Sequence, residues 1–442
     1  MKFITAIFCL LIFALSGFAQ KTDEVLATSA GKTFTAVNLD EQTQKAWLNR
    51  RKIIADARVE LFAGQVSDIL LATEAAARKT TVKKLLEAET TAKVADPSTA
   101  QIQAIYEANK DRLENKPLAE VRPQIVSYLR REPEQKAAET FIAALKIKHK
   151  TVFGKDVNSP NLNPSDVLAT VGLKQITFRD FEEENKFSLY ELDAKIYDAV
   201  ERSLEEAILA ELVSAEAARE NLSSGEIIAR EITDKLKDYS DKERFALQTA
   251  FKDRLFAKYD VKVLIAEPKP VAQNISTDDD PSQGDLNAPV TVVMFSDFQC
   301  SACSAVHPIL KKAMAAYKDK IHFVVRDFPL ELIHANAFQA AQAANAANAQ
   351  GKFFEYTELL YNNQNSLDNA SLKEFASKIA LDRKKFDADL DSGKFAGEIR
   401  KDIADGISYR INSTPTIFVN GVMVRQFSEE GFKKAIERAL KK

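Results

Sequence analysis

The chain has 442 residues, and at roughly 150 residues per domain this length predicts about three domains. Its 13 glycines and 13 prolines are about half the usual share of these residues, which argues against a collagen-like or turn-rich all-β protein and favours helix. With a net charge of −3, the chain lacks the excess of basic residues that nucleic-acid binding requires. Three cysteines are too few for a disulfide framework or for more than one metal site made of thiolates alone.

Residues 1–19 have the pattern of a secretory signal peptide. A charged start and an apolar run precede small residues at the positions that a signal peptidase examines. We expect cleavage before Gln20, which would place the protein in the periplasm or another extracytoplasmic compartment and remove Cys9. Cys300 and Cys303 would then be the remaining cysteines, in a compartment where thiols tend to oxidise.

The segment that follows contains an internal duplication at a constant offset of 142 residues. The matching positions are residues 25–28 with 167–170, 56–57 with 198–199 and 74–76 with 216–218, and also Lys32 with Lys174 and Thr35 with Thr177. A series of matches at one offset predicts two related modules, residues 20–155 and 156–267. Each begins with a short strand and continues as long amphipathic helices, so this half is predicted to be mainly α. The first copy is longer, and we expect it to add two helices after Ile102, with breaks near Pro117 and Pro133.

Residues 268–284 have the composition of a linker, rich in proline, serine and acidic residues. The acidic triplet Asp278, Asp279 and Asp280 could bind calcium, but no loop spacing of oxygen ligands follows it. We therefore interpret the triplet as a solvated charge run and predict a separate C-terminal domain over residues 285–442.

The hydrophobic period changes after the linker, where a continuous apolar run indicates a strand buried on both faces. The predicted elements, in chain order, are a strand over 290–295, a helix over 302–317, a strand over 321–325, helices throughout 335–407, a hairpin over 416–424 and a helix capped by Ser428. Asn420 and Gly421 suit a type I′ turn in the hairpin. The order predicts an α/β domain with a helical insertion.

Cys300 and Cys303 lie where the first buried strand passes into a helix. The unpaired N–H groups of a helix N-terminus stabilise a thiolate, which is the form that attacks a disulfide. The second cysteine, one turn into the helix, can reach back and resolve the mixed disulfide. The pair therefore predicts thiol-disulfide exchange.

The cysteine pair has two other interpretations. A zinc site needs two further ligands, and the candidates form no second spaced pair: these are His307, His322, His334 and His149. A purely structural disulfide would close a very small loop and add little stability.

Four stretches of the C-terminal region resemble DsbA-like thiol-disulfide oxidoreductases, which have the thioredoxin fold. They are FSDFQCSAC at 295–303, RDFPL at 326–330, FFEY at 353–356 and STPTIFVNG at 413–421. The resemblance implies that Cys300 is the exposed attacking thiol and Cys303 the buried resolving thiol. It also implies that Pro415 is a cis-proline facing the pair.

The same resemblance implies a substrate site. An extended substrate segment would pair with the backbone of Thr414, and Phe298 and Gln299 are predicted to contact it as well. The redox-active disulfide Cys300–Cys303 would carry the chemistry, with no other cofactor and no metal. One position departs from the pattern: many relatives carry a buried carboxylate six residues before the first cysteine, and this chain has Met294 there. Water or Asp297 are the candidates to accept the proton of the resolving thiol, although a solvated or capping role is the expectation for Asp297.

The duplicated modules resemble the helical chaperone region of SurA-like foldases. The similar parts are the strand at 25–28 with the helix lead-in at Thr35 or Thr177, and the stretch LAEVRPQI at 118–125. The resemblance implies an apolar cleft that holds unfolded secreted chains. A helical spacer or dimerisation arm is the alternative, because helix stripes usually bury against their own neighbours.

Together these patterns predict an exported protein-disulfide oxidoreductase or isomerase. The alternative is a periplasmic holdase chaperone whose cysteine pair is incidental or metal-bound. The expected partners are unfolded or partly folded exported proteins, a membrane or periplasmic thiol redox partner and, as a homodimer, a second copy; nucleic acid is not expected. Serine and alanine between the cysteines favour an intermediate redox potential, which suits isomerase or reductase work.

Overall fold

The computed structural model describes residues 22–113, 116–237, 239 and 241–441, so the predicted signal peptide lies outside the described residues. The chain divides into two compact units, one ending at Pro268 and the other covering Lys269–Lys442. The first is mainly helical and the second is α/β, as predicted. In the described part of the chain no helix is long and apolar enough to cross a membrane.

The N-terminal unit consists of long helices and short antiparallel strands. In chain order these are β1 (Ala27–Ser29), β2 (Lys32–Phe34), α1 (Glu41–Leu48), α2 (Arg50–Ala77), α3 (Val82–Glu89), α4 (Thr99–Ala108), α5 (Leu118–Lys148), β3 (Val152–Phe153), β4 (Val167–Val171), β5 (Lys174–Thr177), α6 (Phe178–Glu220), α7 (Ser224–Glu231), α8 (Asp241–Lys258) and β6 (Lys262–Val263). The duplication is visible in this order, because β1 and β2 recur as β4 and β5, and α3 recurs as α7. Thr35 and Thr177 each form a capping box with the residue three positions on.

Neither copy forms a core of its own, because each of the two main apolar clusters contains residues of both copies. Leu26 of the first copy packs with Leu204 and Phe251 of the second, whereas Val66 of the first packs with Phe181 of the second. The strands agree: β1 pairs with β6, and β3 pairs with β4. The strands of each copy therefore pack on helices of the other, and both copies belong to one compact unit.

One predicted helix break is wrong. Pro117 precedes α5, as expected, but Pro133 lies inside that helix. A proline removes one backbone hydrogen bond from a helix. Here the helix is anchored on both sides of it, because Val121 and Ile125 are buried before the proline and Leu145 is buried after it.

The C-terminal unit is a five-stranded sheet covered by helices. Its elements are β7 (Ser282–Gly284), β8 (Val290–Ser296), α9 (Ser301–Ala315), β9 (Ile321–Asp327), α10 (Ala337–Asn348), α11 (Phe353–Asn362), α12 (Asn369–Lys378), α13 (Arg383–Asp391), α14 (Ala396–Ser408), β10 (Thr416–Val419), β11 (Val422–Met423) and α15 (Glu429–Leu440). The strand order is β11-β10-β8-β9-β7, with β8 and β9 parallel and the other pairs antiparallel. The helices α10 to α14 form the predicted insertion.

The local sequence signals of this unit are confirmed. Asn420 and Gly421 have φ angles of 46° and 75°, as a type I′ turn requires. Ser428 caps α15 by accepting a hydrogen bond from the Gly431 N–H.

The predicted linker is instead part of the C-terminal unit. Strand β7 pairs with β9, and Asp280 is buried, where its Oδ2 lies 3.1 Å from Nε of the fully buried Arg326. Arg326 also binds Asp402 and, at 2.8 Å, Asp405. The prediction of a solvated charge run is therefore wrong for Asp280, whereas Asp278 and Asp279 are exposed, as predicted. The composition of residues 268–284 could not show this burial, because the cation that pairs with Asp280 is Arg326 on β9, far along the chain.

Candidate active site

Cys300 and Cys303 lie at the junction predicted from the sequence. Strand β8 ends at Ser296, a short loop follows, and Cys300 is the N-cap residue of α9. Both thiols are free. Both are buried, so Cys300 is not the exposed thiol that was expected: it keeps 7% of its surface exposed, whereas Cys303 has none. The two sulfurs therefore differ in access before any chemistry begins.

The surroundings of Cys300 favour its thiolate. Hydrogen bonding from the Cys303 thiol lowers the pKa of the Cys300 thiol to about 5, and backbone N–H groups of Cys303 and Ala302 act in the same direction. These N–H groups belong to the first turn of α9, where the helix dipole also stabilises negative charge. Cys300 is thus ionised near neutral pH and able to act as a nucleophile.

The surroundings of Cys303 favour its neutral thiol. Burial raises the pKa of Cys303 well above its usual range, and its hydrogen bond to Cys300 acts in the same direction. Two groups act in the opposite direction, because the Ser296 hydroxyl and the Asp297 backbone N–H also hydrogen bond to this sulfur. Cys303 therefore holds its proton until a further change makes it reactive.

Thr414 and Pro415 lie beside the cysteines. The Thr414–Pro415 peptide bond is cis, and Cys300 Sγ lies 3.4 Å from the Thr414 carbonyl oxygen, to which the thiol donates when it is protonated. Strand β10 starts at the next residue and pairs with β8, so that Thr416 lies opposite Phe295. This pairing brings residues far apart in the chain to one end of the sheet, next to the helix that carries the cysteines.

The two predicted substrate contacts have different positions. Gln299 is half-buried, and its Oε1 accepts a hydrogen bond from the Asn336 backbone at 2.8 Å. Phe298 is 1% exposed and packs against Phe353 and Tyr361. The prediction of a substrate contact for Phe298 is therefore wrong in this structure: its ring supports the cysteine loop from the core side.

Asp297 is neither solvated nor a helix cap. It is 1% exposed, and its carboxylate accepts hydrogen bonds from the backbone N–H of Gln299 at 2.7 Å and of Leu330 at 2.8 Å. His334 Nδ1 lies 2.8 Å from the same carboxylate. Asp297 therefore ties the cysteine loop to the segment after β9, and its side-chain oxygens are already engaged.

Sequence reasoning missed three residues that contact the site from other elements. Ser296, at the end of β8, hydrogen bonds to Cys303. Tyr361, in the helical insertion, lies with its hydroxyl 2.5 Å from Ser296 Oγ. The Gln364 side chain donates to the carbonyl oxygens of Phe298 and Cys300, at 3.0 and 2.8 Å. No local spacing relates Tyr361 or Gln364 to the cysteines, so a single sequence offered no signal for them.

Three of the four candidate zinc-ligand histidines have other contacts, and the fourth, His322 on β9, has a buried Nε2 with no hydrogen-bond partner among the described residues. The His307 ring packs against Tyr361 at 5.0 Å, His334 contacts Asp297, and His149 lies 2.9 Å from Glu74 in the N-terminal unit. Within the described ranges, the one group of His, Cys, Asp or Glu atoms close enough to share a metal is the acidic triplet at 278–280. The structure brings no third such side chain to the cysteine pair there.

Comparison with known proteins covers the C-terminal part of the chain. A family model described as thioredoxin matches residues 276–438. Over 163 residues the chain is 34% identical to the Na(+)/H(+) antiporter NhaA 1 of Mycobacterium sp. (strain KMS), which is 36% of this chain and 27% of that protein. A similar stretch of NhaA 3 from Salinispora tropica is 36% identical, over 33% of this chain and 22% of that one. The chain thus spans about a quarter of the length of the curated relatives it matches.

Several solved structures align with the same region. Oxidised BdbD from Bacillus subtilis is 25% identical and covers 39% of this chain and 99% of its own, with a TM-score of 0.36. A thioredoxin-like oxidoreductase from Silicibacter pomeroyi DSS-3 is 24% identical, covering 37% of this chain and 93% of its own, with a TM-score of 0.34. Alpha-DsbA1 from Wolbachia pipientis is 21% identical, covering 38% and 96%, with a TM-score of 0.33.

Proposed function

We propose that the thioredoxin-like domain at the C-terminus of this chain is a protein-disulfide oxidoreductase that acts on exported proteins. The Cys300 thiolate attacks one sulfur of a client disulfide and forms a mixed disulfide, and the other client sulfur leaves with the electron pair and takes up a proton. Cys303 then attacks Cys300 Sγ. This step forms the Cys300–Cys303 disulfide and releases the second client thiol; the reverse sequence oxidises a client dithiol.

The observation that carries this proposal is the difference between the two thiols. The pKa of Cys300 is lowered to about 5, whereas burial raises the pKa of Cys303. Exchange through a mixed disulfide requires one thiol that is ionised and accessible, and a second that stays in reserve. A structural or incidental pair has no need of this difference.

A client segment would bind at the Thr414 backbone. Main-chain pairing gives affinity without selecting a sequence, which suits an enzyme with many clients. Gln299, which is half-buried and precedes Cys300 in the chain, is the second contact that we propose.

The test compares two serine variants of the full chain. We expect Cys300→Ser to lose reduction and oxidation of a test disulfide, and Cys303→Ser to accumulate the mixed disulfide at Cys300. Unchanged exchange in Cys300→Ser would refute the enzyme. Zinc that remains after gel filtration, at one ion per chain, would support the metal-bound alternative instead.

We propose that the protein acts on client disulfides as an isomerase or reductase. The Cys300 pKa of about 5 lies between about 7 in thioredoxin and about 3.5 in DsbA. Equilibration of the Cys300–Cys303 pair with glutathione should therefore give a potential between about −270 and about −120 mV. A potential at the oxidising end of this range would indicate an oxidase.

For the N-terminal unit we propose that it holds unfolded clients, as the likeness to SurA-type helices suggested. The support is a set of exposed apolar side chains around β3, here called the β3 patch: Ile147, Val152, Phe153 and Leu173. The turn that carries Leu173 is fixed next to them, because the Gly172 N–H donates to the His149 carbonyl oxygen at 2.8 Å. Exposed apolar groups that lie together mark sites of protein interaction.

The β3 patch is tested by suppression of aggregation. We expect the double variant Phe153→Ser, Leu173→Ser to lose holdase activity, whereas Tyr128→Ser should keep it. Tyr128 is also exposed, but it lies about 28 Å along α5 from Ile147. If the double variant converts a dimer to a monomer and keeps holdase activity, the patch is a subunit interface and not a client site.

We also propose that the chain is exported and works with a membrane or periplasmic thiol partner. The predicted signal peptide and the redox chemistry of the cysteines support this location. Cell fractionation with trapping of mixed disulfides on Cys303→Ser tests both points. Recovery in the cytoplasm, or an absence of trapped exported partners, would contradict them.

A further inference from the structure

The buried resolving cysteine must ionise during the exchange proposed above, and the site lacks the group expected to help it. The position of the expected carboxylate is occupied by Met294, which is fully buried in β8. A buried thiolate without hydrogen bonds is costly. Other groups near Cys303 must therefore stabilise its charge.

Two hydroxyl groups form a chain that ends at Cys303. The Ser296 hydroxyl hydrogen bonds to the Cys303 sulfur, and Ser296 Oγ lies 2.5 Å from the Tyr361 hydroxyl. Ser296 is 1% exposed and Tyr361 is 8% exposed. Because Ser296 can donate to sulfur while it accepts from Tyr361, each bond strengthens the other.

Tyr361 is held so that its hydroxyl meets Ser296. Its ring packs between Phe298, at 5.4 Å, and His307, at 5.0 Å. Its carbonyl oxygen accepts from the Ser304 hydroxyl at 3.1 Å, which joins α11 to α9, the helix of the cysteines. Burial raises the pKa of Tyr361 well above its usual range, so it stays a protonated donor.

The charged and titratable groups that face this chain come from several elements. Cys300 and His307 face it from α9. Asp297 faces it from the loop after β8, but its carboxylate already binds N–H groups. On β9 it is Asp327, opposite Ser296 in the sheet. Asp327 Oδ2 accepts from Asn345 at 2.6 Å, and its Oδ1 has no hydrogen-bond partner among the described residues. Asp327 is thus the rival candidate for assisting Cys303.

We propose that the Tyr361 and Ser296 hydroxyls form a hydrogen-bonded chain that stabilises the Cys303 thiolate when it attacks the mixed disulfide on Cys300. In this step Cys303 gives its proton to water and its sulfur bonds to Cys300 Sγ. The bond from Cys300 to the client sulfur breaks, and the client sulfur leaves with the electron pair and is protonated by water. Ser296 touches the reacting sulfur, whereas Tyr361 is a positioning residue that acts through Ser296.

The test follows the reaction of the reduced full chain with the aromatic disulfide dithionitrobenzoate. Attack by Cys300 releases a first coloured thiolate, and attack by Cys303 on the resulting mixed disulfide releases a second. The rate of the first phase reports the proposed function, and the rate of the second phase reports this inference. The two can therefore fail separately.

We expect Ser296→Ala to slow the second phase about tenfold and Tyr361→Phe about threefold, with the first phase unchanged. The double variant should be no slower than Ser296→Ala, because Tyr361 acts through Ser296. In Tyr361→Phe the midpoint of the second phase should also move to higher pH. Tyr356→Phe is the matched control: this buried tyrosine of α11 donates to the Leu372 carbonyl oxygen at 2.8 Å and should leave both phases unchanged.

Three outcomes would overturn a claim. A second phase of native rate in both Ser296→Ala and Tyr361→Phe would refute the hydroxyl chain. A second phase slowed by Asp327→Asn but not by Tyr361→Phe would refute it also and assign the role to the carboxyl group. A native protein that shows no first phase would refute the proposed function.

Discussion

The low pKa of Cys300 makes a prediction that can be tested on a single side chain. The main cause of that pKa is the hydrogen bond from the Cys303 thiol. Replacement of Cys303 by alanine removes the donor and leaves the first turn of α9 in place. We therefore expect Cys303→Ala to weaken the preference of Cys300 for its thiolate.

The size of the effect follows from the energy of the lost bond. A hydrogen bond to a charged group contributes about 1.5–3 kcal/mol, and one pKa unit corresponds to about 1.4 kcal/mol. The pKa of Cys300 should therefore rise from about 5 by about 1–2 units. At about pH 6 the thiolate fraction would fall from about nine-tenths to between about a half and about a tenth.

The assay is the rate of alkylation by iodoacetamide between about pH 4 and about pH 9, with the ultraviolet absorbance of the thiolate as a second readout. Cys303→Ser is the matched control, because its hydroxyl keeps a donor near Cys300, and its pKa should lie between those of the native chain and Cys303→Ala. If the pKa in Cys303→Ala stays within about 0.3 unit of the native value, the helix N-terminus and not Cys303 sets it.

Three further predictions concern stability. Because the folded pKa of Cys300 lies below its unfolded value, its thiolate stabilises the reduced fold fully above about pH 8.5, and this stabilisation is lost as the pH falls towards about 5. The Tm difference between the reduced native chain and Cys300→Ser should therefore shrink on acidification. A constant difference would contradict the low pKa. In a denaturant titration, Arg326→Met should lower the free energy of unfolding of the C-terminal unit by about 3–5 kcal/mol, since it leaves buried carboxylates unpaired. In the same titration Arg400→Met, at an exposed ion pair, should lower it by less than about 1 kcal/mol. Glu74→Gln should lower the Tm of the N-terminal unit, because a fully buried carboxylate loses its charge-assisted hydrogen bonds. As a control, the variant should react with dithionitrobenzoate at the native rate. Glu216→Gln should have the same effects if the repeated glutamates have equivalent roles.

The sequence predicted those parts of the fold that local patterns determine. The buried strand at Val290–Ser296 and the Asn420–Gly421 turn were readable because each depends on neighbouring residues. The cysteine pair was placed at a strand-helix junction for the same reason. Local patterns also predicted the opening strand and the long helices of each N-terminal copy, but not the continuation of α5 through Pro133.

What escaped prediction depends on partners that lie far apart in the chain. Asp280 looked solvated because its cation, Arg326, lies on another strand. Asp297 was predicted to be solvated or a helix cap, because the groups that bind it, the backbone of Leu330 and the ring of His334, lie more than thirty residues further along the chain. The exchange of strands between the N-terminal copies was also hidden, because two copies with the same pattern offer the same apolar face to each other's strands.

The site draws each cysteine's environment from a different part of the fold. The pKa of Cys300 is lowered chiefly by the Cys303 thiol, and also by Thr414, which precedes β10, and by the first turn of α9. Ser296, at the end of β8, hydrogen bonds to Cys303 and contacts Tyr361 of the helical insertion, through which we propose that Tyr361 acts on Cys303. The insertion is therefore part of the site as well as a cover for the sheet. If attack and resolution depend on these separate contacts, Tyr361→Phe in α11 should change the lifetime of the mixed disulfide without changing how fast it forms.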